Sequence, residues 1–314
     1  MLNIINMTNQ FKEALFVKFP VVFPVIYITI LYSFPQYESA LLFLTILILA
    51  ETHFAATWPF LINKTNLKYI KERKINFIYI PLLIVLISLI SFFLIKDIFL
   101  LIFFAANVFH VTRQSFGICK LYCKEISEIK FQENLIYIVN LFFFIIAFLR
   151  FYSQTITQES IFLLNIIVFF SLILLFIFYI YKFKFGDNFL TFCTGCLIFY
   201  PACFVNSPVH VIIMGVTMHY TQYLYLTNKI YYARNKNLNK NSIKAILTSK
   251  YFLTILIYAL VMSTLSIFGK FDQSVLKHFL IIPIIGQMLH FYLDSQLWKF
   301  SEKHNRENTL RYIT

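Results

Sequence analysis

Along this chain, apolar residues come in long runs separated by short polar stretches. Runs such as 77–95 and 161–181 are apolar on nearly every face. They lack both the stripe of a surface helix and the alternation of a membrane strand. A helix rising about 1.5 Å per residue needs about 20 residues to cross roughly 30 Å of hydrocarbon, and these runs have that length. The pattern predicts helices over 17–34, 40–62, 77–95, 98–119, 134–149, 160–181, 189–206, 208–228, 251–269 and 277–298. Breakers sit where they should: Pro35 after the first run, a polar stretch over 63–76, Lys96 and Asp97, and a tight turn at Asn206, Ser207 and Pro208. No internal repeat or linker divides the chain. The expected fold is therefore all-α, a polytopic transmembrane helical bundle of about ten spans forming one integral membrane domain over 1–314.

Composition agrees: 60% of residues are hydrophobic, 13% are charged, and the mean hydropathy is +0.74. A net charge of +13 could suggest nucleic acid, but the cations are spread among short loops, so no nucleic-acid partner is expected. Topology accounts for them instead. Alternate loops hold 22 of the 27 Lys and Arg residues, and because short cytoplasmic loops retain positive charge, both termini are expected to be cytoplasmic. The inner membrane of a bacterium is the expected location. The apolar stretch 16–34 is too long for a cleaved leader and runs into a second span, so the N-terminal segment is expected to stay attached. The five cysteines lie in apolar stretches and are expected to be reduced, with the C-x-x-C of Cys193 and Cys196 serving packing.

Histidine carries the candidate chemistry. Of seven, His304 belongs to the tail, and His210 and His278 sit at span entrances, where hydration suffices. His53, His110, His219 and His290 fall deep inside predicted spans, where an unsatisfied polar group is costly. Counted from the outer ends of the second, fourth, eighth and tenth spans, they lie 13, 12, 11 and 13 residues in. At about 1.5 Å per residue that places them in one layer. Any one alone reads most simply as a hydrogen bond to a neighbouring helix. Four at one depth point to a shared metal, since facing helices of a bundle can assemble one and neutral imidazole suits iron, copper, zinc or nickel.

Three or four residues after each histidine, on its own face, stand Thr57, Arg113 with Gln114, Gln222 with Tyr223, and Asp294, a polar set one turn nearer the cytoplasm. Arg113 is the single cation inside a predicted span, and Asp294 is a candidate acceptor for a ligand's other ring nitrogen or a salt partner for Arg113. Glu51 is a further carboxylate within the second predicted span. Two rival classes fit the same residues: a b-type haem protein using histidine pairs as axial ligands, and a proton-coupled transporter using His110, Arg113 and Asp294.

The motifs THFAATWP at 52–59, FHVTRQSFG at 109–117, MHYTQYLYL at 218–226 and LHFYLDSQLWK at 289–299 occur in an order that resembles the Brp/Blh family of membrane β-carotene dioxygenases. His290, Asp294 and Lys299 match the family's final H-x-x-x-D and following basic residue. The chain departs from the family around His53, has VTRQ where a short acidic pattern is usual, and carries Tyr223 in place of a second histidine. The resemblance implies an Fe(2+) oxygenase that takes dioxygen and a carotenoid-like isoprenoid from the bilayer lipid. With the layer of deep histidines, this reading has His53, His110, His219 and His290 at the metal, with either Tyr223 or His290 completing the ligand set, and Tyr223, Arg113 and Asp294 in the catalytic surroundings.

Overall fold

A computed structural model describes residues 10–153, 156–205, 207–235, 249–271 and 275–313, and every regular element among them is a helix. Asn206 and the loop cations Lys236, Lys240 and Lys244 lie outside the described residues. In chain order the α-helices are α1 (Val22–Ser33), α2 (Glu38–Thr45), α3 (Glu51–Leu61), α4 (Lys64–Glu72), α5 (Ile80–Leu94), α6 (Lys96–Tyr122), α7 (Ile126–Tyr152), α8 (Gln158–Phe183), α9 (Asp187–Leu197), α10 (Pro208–Arg234), α11 (Lys250–Phe271), α12 (Ile281–Leu297) and α13 (Lys303–Asn308). A wider π turn over Ile46–Ala50 joins α2 to α3, so the chain is helical without a break through Pro35–Leu61.

Among the described residues, six helical stretches are long and apolar enough to cross a membrane: Pro35–Leu61, Ile75–Leu94, Lys96–Tyr122, Ile126–Tyr152, Gln158–Phe183 and Lys250–Phe268. The pair Gln10–Lys18 and Val22–Ser33, bent by 65°, makes a seventh if it is one span. Their apolar side chains are largely turned outward; on α8, for example, Phe162, Phe170 and Ile177 are each about 60% exposed. Faces of this kind demand an apolar solvent. The run expected over 189–206 folds differently. α9 has 11 residues, too short to cross the hydrocarbon alone, and a 3-10 turn over Tyr200–Cys203 follows it. Pro201 in that turn explains the break, because it lacks the N–H that would continue the helical ladder. The last expected run is a 3-10 turn over Val275–Leu280 followed by the 17 residues of α12.

The chain groups into two compact units: Met1–Leu42 with Val108–Gln222, and Phe43–Asn107 with Tyr223–Thr314. The first has a core of Tyr27, Leu31, Ala147, Ala202, Val205, Val211 and Met214. It also buries the carboxylate of Glu128, which accepts hydrogen bonds from the Tyr179 hydroxyl and the Asn188 amide. In the second, α11 packs along α3, and α12 packs against α5 and α3. Two alanines, Ala55 and Ala56, let the rings of Tyr223 and Tyr251 come close to α3. That packing holds α3 and α12 side by side and sets their histidines in register.

Candidate metal centre

His53 and His290, which are 237 residues apart in sequence, meet within the second unit. Their Nε2 atoms are 3.0 Å apart and the ring planes are crossed at 80°, with both side chains fully buried. Thr57, one helical turn after His53, is the hub beside them. Its Oγ1 lies 2.7 Å from Nδ1 of His290, 2.8 Å from the Tyr223 hydroxyl and 3.2 Å from Oδ1 of Asp294. The Tyr223 hydroxyl donates to the same Asp294 oxygen at 2.7 Å, and the Tyr223 ring stands 4.5 Å from the ring of His53.

Proton bookkeeping follows from that network. Tyr223 donates to Asp294, and so does Thr57; the Thr57 oxygen is then left to accept the Nδ1 proton of His290. His290 in this tautomer turns a lone pair on Nε2 toward Nε2 of His53. The separation has two physical readings: one ring donates a hydrogen bond to the other, or both nitrogens face one ion. Two nitrogens in cis positions on an ion at about 2.1 Å stand about 3.0 Å apart, so the pair fits a metal without rearrangement. Axial haem ligands stand about 4 Å apart across their iron, and this pair does not fit that geometry.

His110 and His219 pair within the first unit, with ring centroids 5.7 Å apart and planes at 87°, both buried. Within each unit, then, two of the four predicted ligands come together.

The polar neighbours sort differently from the sequence expectation. Thr57, Tyr223 and Asp294 converge. The atom holding the other nitrogen of His290 is the Thr57 oxygen, and the Asp294 carboxylate acts through it, with Oδ2 3.5 Å from Nε2 of His290. Gln222 instead donates to the carbonyl of Val17 at 2.7 Å, tying down the helical turn Ala14–Lys18. Arg113, expected inside the bundle, is exposed. It falls on the outward stripe of α6 with Phe109, Gly117 and Lys120, while Val111, Thr112, Ser115 and Phe116 point inward. A guanidinium there can reach the headgroup level along its own stem.

Two histidines discounted from sequence are built into the fold. His210 is buried in the first unit, with Tyr27 at 2.8 Å on Nδ1 and Glu38 at 2.8 Å on Nε2. His304 lies flat on Tyr69, with ring centroids 4.0 Å apart and planes at 1°, and its Nε2 meets Asn66 at 2.8 Å. Neither contact has a local sequence signal, because each partner is more than 170 residues away. All five cysteines are buried and free. Comparison with family models, with curated proteins and with solved structures finds no match.

Proposed function

We propose that this chain is a membrane-embedded non-haem iron oxygenase, resembling the Brp/Blh dioxygenases, that cleaves or oxidises a carotenoid-like isoprenoid drawn from the bilayer. The observation that carries the metal is the Nε2–Nε2 approach of His53 and His290, with His290 oriented by Thr57. The resemblance in motif order carries iron, dioxygen and the isoprenoid. In this reading His53 and His290 bind through Nε2, and His110 and His219 are the further ligands that their depth in the sequence assigns. The charge pattern of the loops supports cytoplasmic termini, and the inner membrane of a bacterium is the location in this reading.

Bound iron would supply activation of dioxygen toward a double bond. The chain's own residues do the rest. Thr57 keeps the proton of His290 on Nδ1, and Asp294 takes the protons of Thr57 and Tyr223, so no donor of this trio is aimed at the histidine lone pair. Phe54, with its ring 4.9 Å from His53 and 5.0 Å from His290, excludes water from one side of the pair.

Elemental analysis of the detergent-purified full chain tests the reading. Iron should be present in the wild type and lost in His53→Ala and His290→Ala. Stoichiometry in His110→Ala and His219→Ala then tells whether the first pair serves the same ion. Full occupancy in all four variants refutes the ligand assignment. Iron without conversion of β-carotene or a related isoprenoid refutes the substrate while leaving the centre in place.

A further inference from the structure

One turn outward from His290, the second unit buries a further group of polar atoms that the histidine pair does not use. Glu51 on α3 is 1% exposed, and its Oε2 has no hydrogen-bond partner among the described residues. The hydroxyl of Tyr258 on α11 is likewise buried and finds no acceptor for its proton among the described residues, while the Trp58 indole, two turns after Glu51 on the same face of α3, interacts with its oxygen. Gln287 on α12 reaches the Glu51 side chain from the third helix. Gly286 makes room for this arrangement: a Cβ there would stand 2.6 Å from the Tyr258 hydroxyl oxygen. Any larger residue would push the phenol out of place.

Glu51 and Tyr258 interact electrostatically across this group, yet no hydrogen bond joins them. A buried acceptor oxygen and a buried hydroxyl proton left unanswered are each costly. A guest that answers both must accept one hydrogen bond and donate another, which is what a hydroxyl group does. Next to Tyr258 on α11, Ile257 and Val261 are exposed apolar residues, 61% and 52%, so the subsite is one helix away from an apolar solvent.

We infer that Glu51, Tyr258 and Trp58 form a subsite for one hydroxyl group, which accepts from Tyr258 and donates to Glu51. The hydroxyl belongs either to a buried water or to a long-chain alcohol entering from the bilayer. The inference does not depend on an ion at His53 and His290.

The chain has two tryptophans, so Trp298→Phe leaves Trp58 as the sole indole and makes its fluorescence a local reporter. Titrating this purified chain with hexadecanol and with hexadecyl methyl ether separates the two sources. For an alcohol guest, hexadecanol binds at least about tenfold tighter than the ether. Tyr258→Phe and Gly286→Ala then each bring the ratio to about one. For a water guest the two ligands bind alike, and a density map that resolves waters elsewhere shows one within hydrogen-bonding reach of Glu51 and Tyr258, lost in Tyr258→Phe. Equal binding together with a map lacking that density overturns the inference.

Discussion

Replacing Thr57 by Val is the sharpest test of the centre, because the two side chains share a shape and differ by one hydroxyl. Shape and helix propensity stay nearly constant, so the hydroxyl accounts for the change. Three contacts disappear: to His290 at 2.7 Å, to Tyr223 at 2.8 Å and to Asp294 at 3.2 Å. They are not equal in consequence. Tyr223 and Asp294 keep their own 2.7 Å hydrogen bond, whereas Nδ1 of His290 loses the atom that fixed its proton. One buried donor losing its partner costs about 1–3 kcal/mol of stability. Loss of an outer hydrogen bond to a metal-binding histidine lowers affinity by about 10–100-fold, which is about 1.4–2.8 kcal/mol and so of the same size. The assay is metal affinity by competition with a chelator, alongside chemical unfolding in detergent, for the wild type, Thr57→Val and Thr57→Ser. Serine should recover most of both quantities. If Val binds metal and unfolds like the wild type, or if Ser loses as much as Val, the orienting role of Thr57 is wrong.

Tyr223→Phe leaves Asp294 with the Thr57 contact, so stability should fall by about 1 kcal/mol; Asp294→Ala removes the shared acceptor of both donors and should cost more. Equal unfolding free energies in the two variants would contradict that ordering. The clasp formed by residues 299–313 should loosen in acid. Burial, and then the cations of Arg234 and Arg73, hold the His304 pKa below its ordinary value, so the folded clasp prefers the neutral ring. Its stability is full above about pH 6.5 and is lost as pH falls below that value, because the detached segment binds the proton first. Glu302, held below its ordinary value by Arg73, adds a second loss at lower pH, as the carboxylate is protonated. Faster proteolysis after residue 298 at pH 5.5 than at pH 7.5, abolished in His304→Gln, is the expected outcome. In the first unit, His210→Ala should destabilise more than Glu38→Ala, since Glu38 is 56% exposed while Tyr27 is left buried without its acceptor; a larger effect at Glu38 would reverse the reading.

The all-helical character, the membrane as solvent and the burial of the four deep histidines were legible in the sequence. Each is set by transfer free energy acting on consecutive residues. Uninterrupted apolar runs cannot be satisfied in water, and an imidazole inside them must find a partner. Spacing along one helix also placed Thr57 and Asp294 near their histidines, since i and i+4 share a face. What tertiary packing alone decided is which faces turn inward. A wholly apolar helix has too weak a polar stripe to announce its orientation, so Arg113 could be counted as buried when α6 carries it on an exposed row with Phe109. The same weakness hid the short α9, because Pro201 looks tolerable in an apolar run until the chain turns there. Pairing His53 with His290, and giving Thr57 rather than Asp294 the nitrogen of His290, depends on how closely Ala55 and Ala56 let neighbouring helices approach α3. That distance is a property of surfaces meeting from distant parts of the chain, and no local run of residues encodes it.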